Sequence, residues 1–141
     1  MKVKVINIST NPKPAYQTEG SAGMDLYANI REDIIIPPNG KAIIPTGLMV
    51  EIPIGYYFEV CWRSGLLFKY GVKGYDGVID SDFRGEIKAY LHNISNEPFT
   101  VKNGDRISQM ILKKYERVEW EQVTELSDTE RGTGGFGSTG V

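Results

Sequence analysis

The stretch Gly77-Val78-Ile79-Asp80-Ser81-Asp82-Phe83-Arg84-Gly85-Glu86, followed by Ile87-Lys88-Ala89-Tyr90-Leu91-His92, decides how the rest of the chain is read. In its second half Ile87, Ala89 and Leu91 fall on one side of an extended backbone, and Glu86, Lys88, Tyr90 and His92 fall on the other. That period of two marks a half-buried strand. The first half sets two carboxylates, an aromatic ring and a guanidinium between glycines. A group of chemically capable side chains is thus fixed to a rigid element at a turn, where a small ligand can be held.

Outward from this stretch the chain keeps the same texture. Its 16 glycines and 7 prolines divide most of the chain into short runs. Between them lie short β-rich runs: Val3 to Ile8, Ile34 to Ile36, Ala42 to Pro45, Leu48 to Ile52, Tyr56 to Trp62, Glu86 to Ile94 and Arg106 to Tyr115. Many short strands divided by Pro and Gly turns predict an all-β, jelly-roll-like sandwich. One short helical turn is expected around Ser64 to Lys69. From Ser127 onward almost nothing can be buried, so residues 1–126 are expected to form the β domain and 127–141 a mobile arm.

A chain of 141 residues with 40% hydrophobic and 24% charged content is one ordinary soluble domain by length and composition. A formal net charge of −2 argues against electrostatic binding of nucleic acid polymers, but not against a single phosphorylated small molecule. The N-terminal run Met1-Lys2-Val3-Lys4-Val5-Ile6 alternates like a strand. No apolar stretch approaches the roughly 18 residues of a membrane span, so a cytoplasmic protein without membrane contact is expected. The single cysteine, Cys61, can form neither an internal disulfide nor a thiolate zinc cage. In the alternating run Tyr57 to Trp62 it reads as a strand filler, and its one possible imidazole partner for nucleophilic chemistry is His92.

Each candidate functional residue has a plain structural alternative. Asp80 and Asp82 face opposite sides if the backbone is extended, so they do not share a metal; each is either a turn cap or a working carboxylate. Arg63-Ser64-Gly65 offers a guanidinium fork, a hydroxyl and close backbone approach for phosphate, or simply ends a strand. Gln109 lies among apolar neighbours, where an unpartnered amide costs on the order of 1–3 kcal/mol, so it bonds to backbone or ligand. Asp25, in Ala22-Gly23-Met24-Asp25-Leu26, suits a structural role orienting an arginine or a turn. Lys88 is either solvated or a ligand contact.

The glycine-rich arm supports an energetic argument. Ordering ten such residues costs on the order of 10–20 kcal/mol. Stacking Phe136 on a base returns only about 1–3 kcal/mol. Arg131 and the exposed backbone N–H groups therefore need a strongly anionic partner as well, and a base joined to a polyphosphate meets both demands. The run lacks the Gly-Lys-Ser/Thr ending of a P-loop.

Five segments occur in order: Ala22 to Leu26, Arg63-Ser64-Gly65-Leu66, Gly77 to Glu86, Gly104-Asp105-Arg106-Ile107-Ser108-Gln109-Met110, and Arg131 to Gly140. Together they resemble the five motifs of the trimeric dUTPase (deoxyuridine triphosphate nucleotidohydrolase) family, and the resemblance spans nearly the whole chain. It implies a jelly-roll β-clip fold and a homotrimer with sites at subunit interfaces. It also implies Mg²⁺-assisted hydrolysis of dUTP to dUMP and diphosphate, which keeps uracil out of DNA and supplies dUMP for thymidylate synthesis.

By the same resemblance Asp80 activates the water that attacks the α-phosphorus, and Phe83 lies under the deoxyribose and leaves no room for a 2′-hydroxyl. Gly77, Val78 and Ile79 read the uracil edge through their backbone. Arg63, Ser64 and Gly65 bind phosphate from a neighbouring subunit, Gln109 contacts phosphate and Lys88 contacts the nucleotide. Arg131 holds phosphate, and Phe136 with Gly137 closes over the base. Mg²⁺ is expected through substrate phosphates and waters, with no protein ligand. Two positions depart from the family pattern: Phe83 stands where tyrosine is usual, and Gly74 where many members carry asparagine toward the uracil pocket. Rival readings are a dCTP deaminase or bifunctional deaminase of the same fold, for which a glutamate at the cytosine amine is typical, and a nucleotide-sensing regulatory module.

Overall fold

The architecture comes from a computed structural model of the chain, and residues 1–140 are described; Val141, the last residue of the expected arm, lies outside them. The strands are β1 (Lys4–Asn7), β2 (Gly23–Tyr27), β3 (Ile34–Ile36), β4 (Lys41–Pro45), β5 (Leu48–Glu51), β6 (Tyr56–Cys61), β7 (Val72–Gly74), β8 (Gly77–Ile79), β9 (Lys88–Asn93), β10 (Phe99–Val101) and β11 (Arg106–Lys114). The helix α1 (Ser64–Tyr70) follows β6 and ends at Gly71, whose N–H donates to the Leu67 carbonyl at 2.9 Å. Among the described residues no helix is long and apolar enough to cross a membrane.

A four-stranded sheet runs β2-β11-β6-β8 and a three-stranded sheet β4-β9-β7. Two ribbons, β1-β5 and β3-β10, complete the structure, and every pairing is antiparallel. One core gathers Ile44, Val72 and Leu91 of the three-stranded sheet with Ile36 of β3, Val101 of β10 and Leu66 of α1. A second gathers Leu26, Val50, Phe58, Val60, Ile87 and Met110 beneath the four-stranded sheet. Each fully buried side chain of this kind contributes roughly 1.5–3 kcal/mol, which is what holds such short strands in place.

The alternation read around Ile87 is realised: Ile87, Ala89 and Leu91 are buried, while Lys88 is exposed and Tyr90 and His92 are half-buried. The strands β2, β7, β8 and β10 had no signature in the sequence. Three of them are only three residues long, too short for any periodicity to register. The fourth, β2, carries Asp25 between Met24 and Leu26 and is extended because β11 pairs with it from Tyr27 to Gly23.

Candidate active site

The decisive stretch forms an edge and a turn. Strand β8 pairs only with β6, Ile79 opposite Phe58 and Gly77 opposite Val60, so its outer edge offers free backbone groups. A turn follows in which the Phe83 N–H donates to the Asp80 carbonyl at 3.2 Å. Asp80 and Asp82 are both exposed. The far side of the turn is tied into the core. The Ile87 N–H donates to the Leu48 carbonyl at 2.8 Å, and the buried Thr46 hydroxyl donates to the Ile87 carbonyl at 2.6 Å. Glu86 accepts the Gly47 N–H at 2.8 Å.

Phe83 is 40% exposed and its ring lies on Gly85, so close that a β-carbon at position 85 would stand 2.5 Å from Phe83 Cζ. Arg84 Nη1 donates back to the Ser81 carbonyl at 2.8 Å and to the Phe83 carbonyl at 3.1 Å. Lys4, hydrogen-bonded at 2.8 Å, and secondarily the charge of Arg84 hold the Glu51 carboxyl below its ordinary range. Arg84 and Gly85 escaped the sequence reading because their work is local geometry. The signal was their place inside the motif itself. Lys88 begins β9, exposed and opposite Pro45.

A second cluster joins three of the other segments. Asp25, on β2, accepts Arg63 Nε at 2.8 Å and has Arg106 Nη1 at 3.7 Å. Arg63 Nη1 also donates to the Arg106 carbonyl at 3.0 Å. Two of the five N–H donors of Arg63 are therefore committed to the scaffold, as Asp25's expected structural role requires. Gln109 donates from Nε2 to the Trp62 carbonyl at 3.0 Å, and its Oε1 occupies the space a β-carbon at Gly23 would take, 2.7 Å from that atom. Ser108 Oγ donates to the Cys61 carbonyl at 2.5 Å. Ser64 and Gly65 are exposed at the start of α1, whose first turn has neither an acidic residue nor a side-chain cap. Their N–H groups point to an anion-accepting end.

These two clusters stand apart within one chain. Ile79 is opposite Phe58, so Asp80 continues past the Tyr57 end of β6, whereas Arg63 and Ser64 follow its other end, after Cys61. At about 3.3 Å per residue the separation is roughly 15–20 Å. The arm stands apart as well: among the described residues from Glu116 onward, hydrogen bonds run only between arm residues, such as Arg131 Nε to the Gly134 carbonyl at 2.8 Å. Phe136 is fully exposed.

The remaining candidates resolve simply. Burial first, then the Glu59 carboxylate near its sulfur, push the Cys61 thiol up to about 11, which suits a filler rather than a nucleophile. His92 Nδ1 lies 3.2 Å from the Tyr75 hydroxyl and the two rings stack, so its partner is Tyr75. Gly74 is buried, and a β-carbon there would stand 3.1 Å from Trp62 Cα and 3.2 Å from Trp62 Cβ. That close packing of β7 on Trp62 accounts for glycine at this position. Among the described residues no group of three or more His, Cys, Asp and Glu side chains is placed to hold a metal.

Comparison with known proteins gives the context for this geometry. A family model described as dUTPase matches residues 10–140. The deoxyuridine 5'-triphosphate nucleotidohydrolase of Finegoldia magna is 51% identical over 142 residues, covering 99% of both chains. That of Cytophaga hutchinsonii is 48% identical, covering 98% of this chain and 91% of its own. Among solved structures, a mutant Staphylococcus bacteriophage 80alpha dUTPase with dUpNHpp superposes with a TM-score of 0.86 at 27% identity, covering 99% of each chain. The dUTPase of S. aureus phage phi11, described with a coordinated structural Mg(II) ion, has a TM-score of 0.83 at 21% identity, covers 91% of this chain and 100% of its own, and speaks to the fold alone. Motif order, β-clip architecture and an end-to-end match with relatives of equal length agree, and the chain belongs to the dUTPase family.

Proposed function

We propose that this chain hydrolyses dUTP to dUMP and diphosphate, with Asp80 as the general base. The carboxylate accepts a proton from a water as that water's oxygen bonds to the α-phosphorus. The bond from the α-phosphorus to the bridging oxygen of the β-phosphate breaks, and diphosphate departs with that oxygen. Asp80 suits the role because it is exposed at the end of a short edge strand, on a turn tied into the core. The free edge of Gly77, Val78 and Ile79 reads uracil, Phe83 lies under the deoxyribose, and Lys88 borders the nucleotide.

Ser64, Gly65 and the uncommitted donors of Arg63 meet the phosphates together with Gln109, and Arg131 adds a further cation. Phe136 and Gly137 close over the base. Mg²⁺ bound with the substrate would supply charge neutralisation at the leaving diphosphate, and Arg63, Gln109 and Arg131 would hold the phosphates beside it.

The observation that carries this reading is the spacing of the parts. The base and ring, the phosphate cluster roughly 15–20 Å away, and an arm bonded only to itself do not make one site in one chain. They make a complete one when copies associate, and a homotrimer with sites at its interfaces meets that need. The test is diphosphate release from dUTP, dTTP, dCTP and UTP, with Asp80→Asn alongside. Release is expected from dUTP alone, with at least ~100-fold slower turnover in the variant and retained dUTP binding. Full activity of Asp80→Asn would remove Asp80 from the mechanism, and uracil products from dCTP would favour a deaminase.

A further inference from the structure

Arg84 lies between the ring that faces the sugar and the glycine beneath that ring, and its side chain folds back onto the turn it leaves. One nitrogen, Nη1, donates to both the Ser81 and Phe83 carbonyls, at 2.8 and 3.1 Å. The turn's own backbone bond, Phe83 N–H to the Asp80 carbonyl, is 3.2 Å long, at the weak end of the range. Two charge-assisted bonds from one guanidinium are therefore the stronger restraint on residues 81–83.

Arg84 also borders the N-terminal ribbon. Lys4, Glu51 and Arg84 border one shallow cavity of about 260 Å³ between β1-β5 and the turn. Glu51 is fixed by Lys4 Nζ at 2.8 Å and attracts Arg84 across that cavity. A ring that rests on a glycine and is 40% exposed has no side wall of its own. Its position is set by its backbone, and that backbone is what Arg84 holds.

We infer that Arg84 is a positioning residue that sets sugar discrimination, by fixing the Phe83 backbone so that the ring keeps its place against C2′ of the nucleotide. This rests on the proposed function. A displacement of about 1 Å is enough to admit a hydroxyl oxygen or to spoil reactive alignment.

The experiment compares kcat/KM for dUTP and UTP, with Mg²⁺, in the full-length wild type, Arg84→Lys and Arg84→Ala, with thermal unfolding of each. In Arg84→Ala the preference for dUTP over UTP is expected to fall about tenfold. Its unfolding temperature should change little, because Arg84 is exposed and its bonds are to an exposed turn. Arg84→Lys should fall between the two, since one ammonium can still reach a carbonyl. An unchanged preference, an equal loss on both nucleotides, or a lysine variant no better than alanine would overturn the inference. A wild type inactive on dUTP would sink the proposed function instead, whereas an active wild type with an unchanged Arg84→Ala preference sinks only the role of Arg84.

Discussion

Replacing Gly85 with alanine tests the placement of Phe83 more directly than replacing the ring. The added carbon would stand 2.5 Å from Phe83 Cζ, 2.9 Å from Cε2 and 3.3 Å from Cε1. The nearest of these is about 0.9 Å short of the 3.4 Å at which ordinary contact begins. Position 85 is not in the left-handed region, so alanine brings no backbone strain. The ring is the part that yields, and at 40% exposure it has solvent to move into. The stability cost should stay below about 1 kcal/mol, partly offset by the reduced freedom of the unfolded chain. That corresponds to an unfolding temperature within about 3 °C of wild type. The kinetic cost should be far larger, because a ring displaced by nearly an ångström no longer seats the deoxyribose. Steady-state diphosphate release should show kcat/KM for dUTP reduced roughly 10- to 100-fold. Wild-type kinetics would show that the ring does not position the sugar. A fall of more than about 6 °C in unfolding temperature would show that the ring cannot swing outward as argued.

Ending the chain at Leu126 should cut kcat/KM for dUTP at least ~100-fold while leaving the unfolding temperature within about 2 °C, since the arm's hydrogen bonds are to itself. Hydrogen exchange should slow across residues 131–140 only when dUpNHpp and Mg²⁺ are both present; equal protection with and without them would contradict arm closure. Gly74→Asn, which restores the residue many family members carry, should destabilise by about 1–3 kcal/mol, or roughly 3–9 °C, because the new side chain meets Trp62 backbone that cannot retreat. An asparagine variant as stable as wild type would show that β7 packs less tightly. The Cys61 thiol, raised from 9.0 to about 11, should react with iodoacetamide about 100-fold more slowly in the native than in the unfolded chain at pH 8.5. The raised value stabilises the fold below pH 9, and that contribution is lost as pH rises from 9 through 11, where the unfolded thiol ionises first. Comparable alkylation rates in the two states would contradict its burial.

What the sequence disclosed follows from what leaves a periodic or ordered trace. The alternation of Ile87, Ala89 and Leu91 reported a sheet face, and the structure buries all three. The helix runs from Ser64 to Tyr70, one residue beyond the short turn expected over Ser64 to Lys69. Asp25 was recognisable as structural from its apolar setting, but its two arginines were not, because they reach it only when β11 pairs with both β2 and β6. Asn93 left no trace at all. Buried at the end of β9, it donates to the Ile36 and Glu97 carbonyls and accepts from Ser95, joining its own turn to a strand 57 residues away. The carbonyl clamp of Arg84 reaches back only one and three residues, and it too left no trace, because a side-chain bond to backbone imposes no periodicity on the sequence.

The division of labour inside the motifs bears on how their loss should be interpreted. Arg63 sits in the segment proposed to bind phosphate, yet its Nε and one Nη1 proton hold Asp25 and the Arg106 carbonyl. Removing it would leave Asp25, 13% exposed, facing only Arg106 at 3.7 Å, and such a half-buried carboxylate without its main partner costs on the order of 1–3 kcal/mol. Gln109 is likewise bound to the Trp62 carbonyl and lodged over Gly23. An inactive Arg63 or Gln109 variant therefore conflates a lost phosphate contact with a loosened corner of the four-stranded sheet. Asp80, Phe83 and Lys88 are different, because they are exposed and their side chains carry none of the turn's hydrogen bonds. Changes there report on chemistry. The proposed base, Asp80, thus lies just past an edge strand that the scaffold supports from one side only, whereas the corner proposed to meet phosphate also holds the four-stranded sheet together.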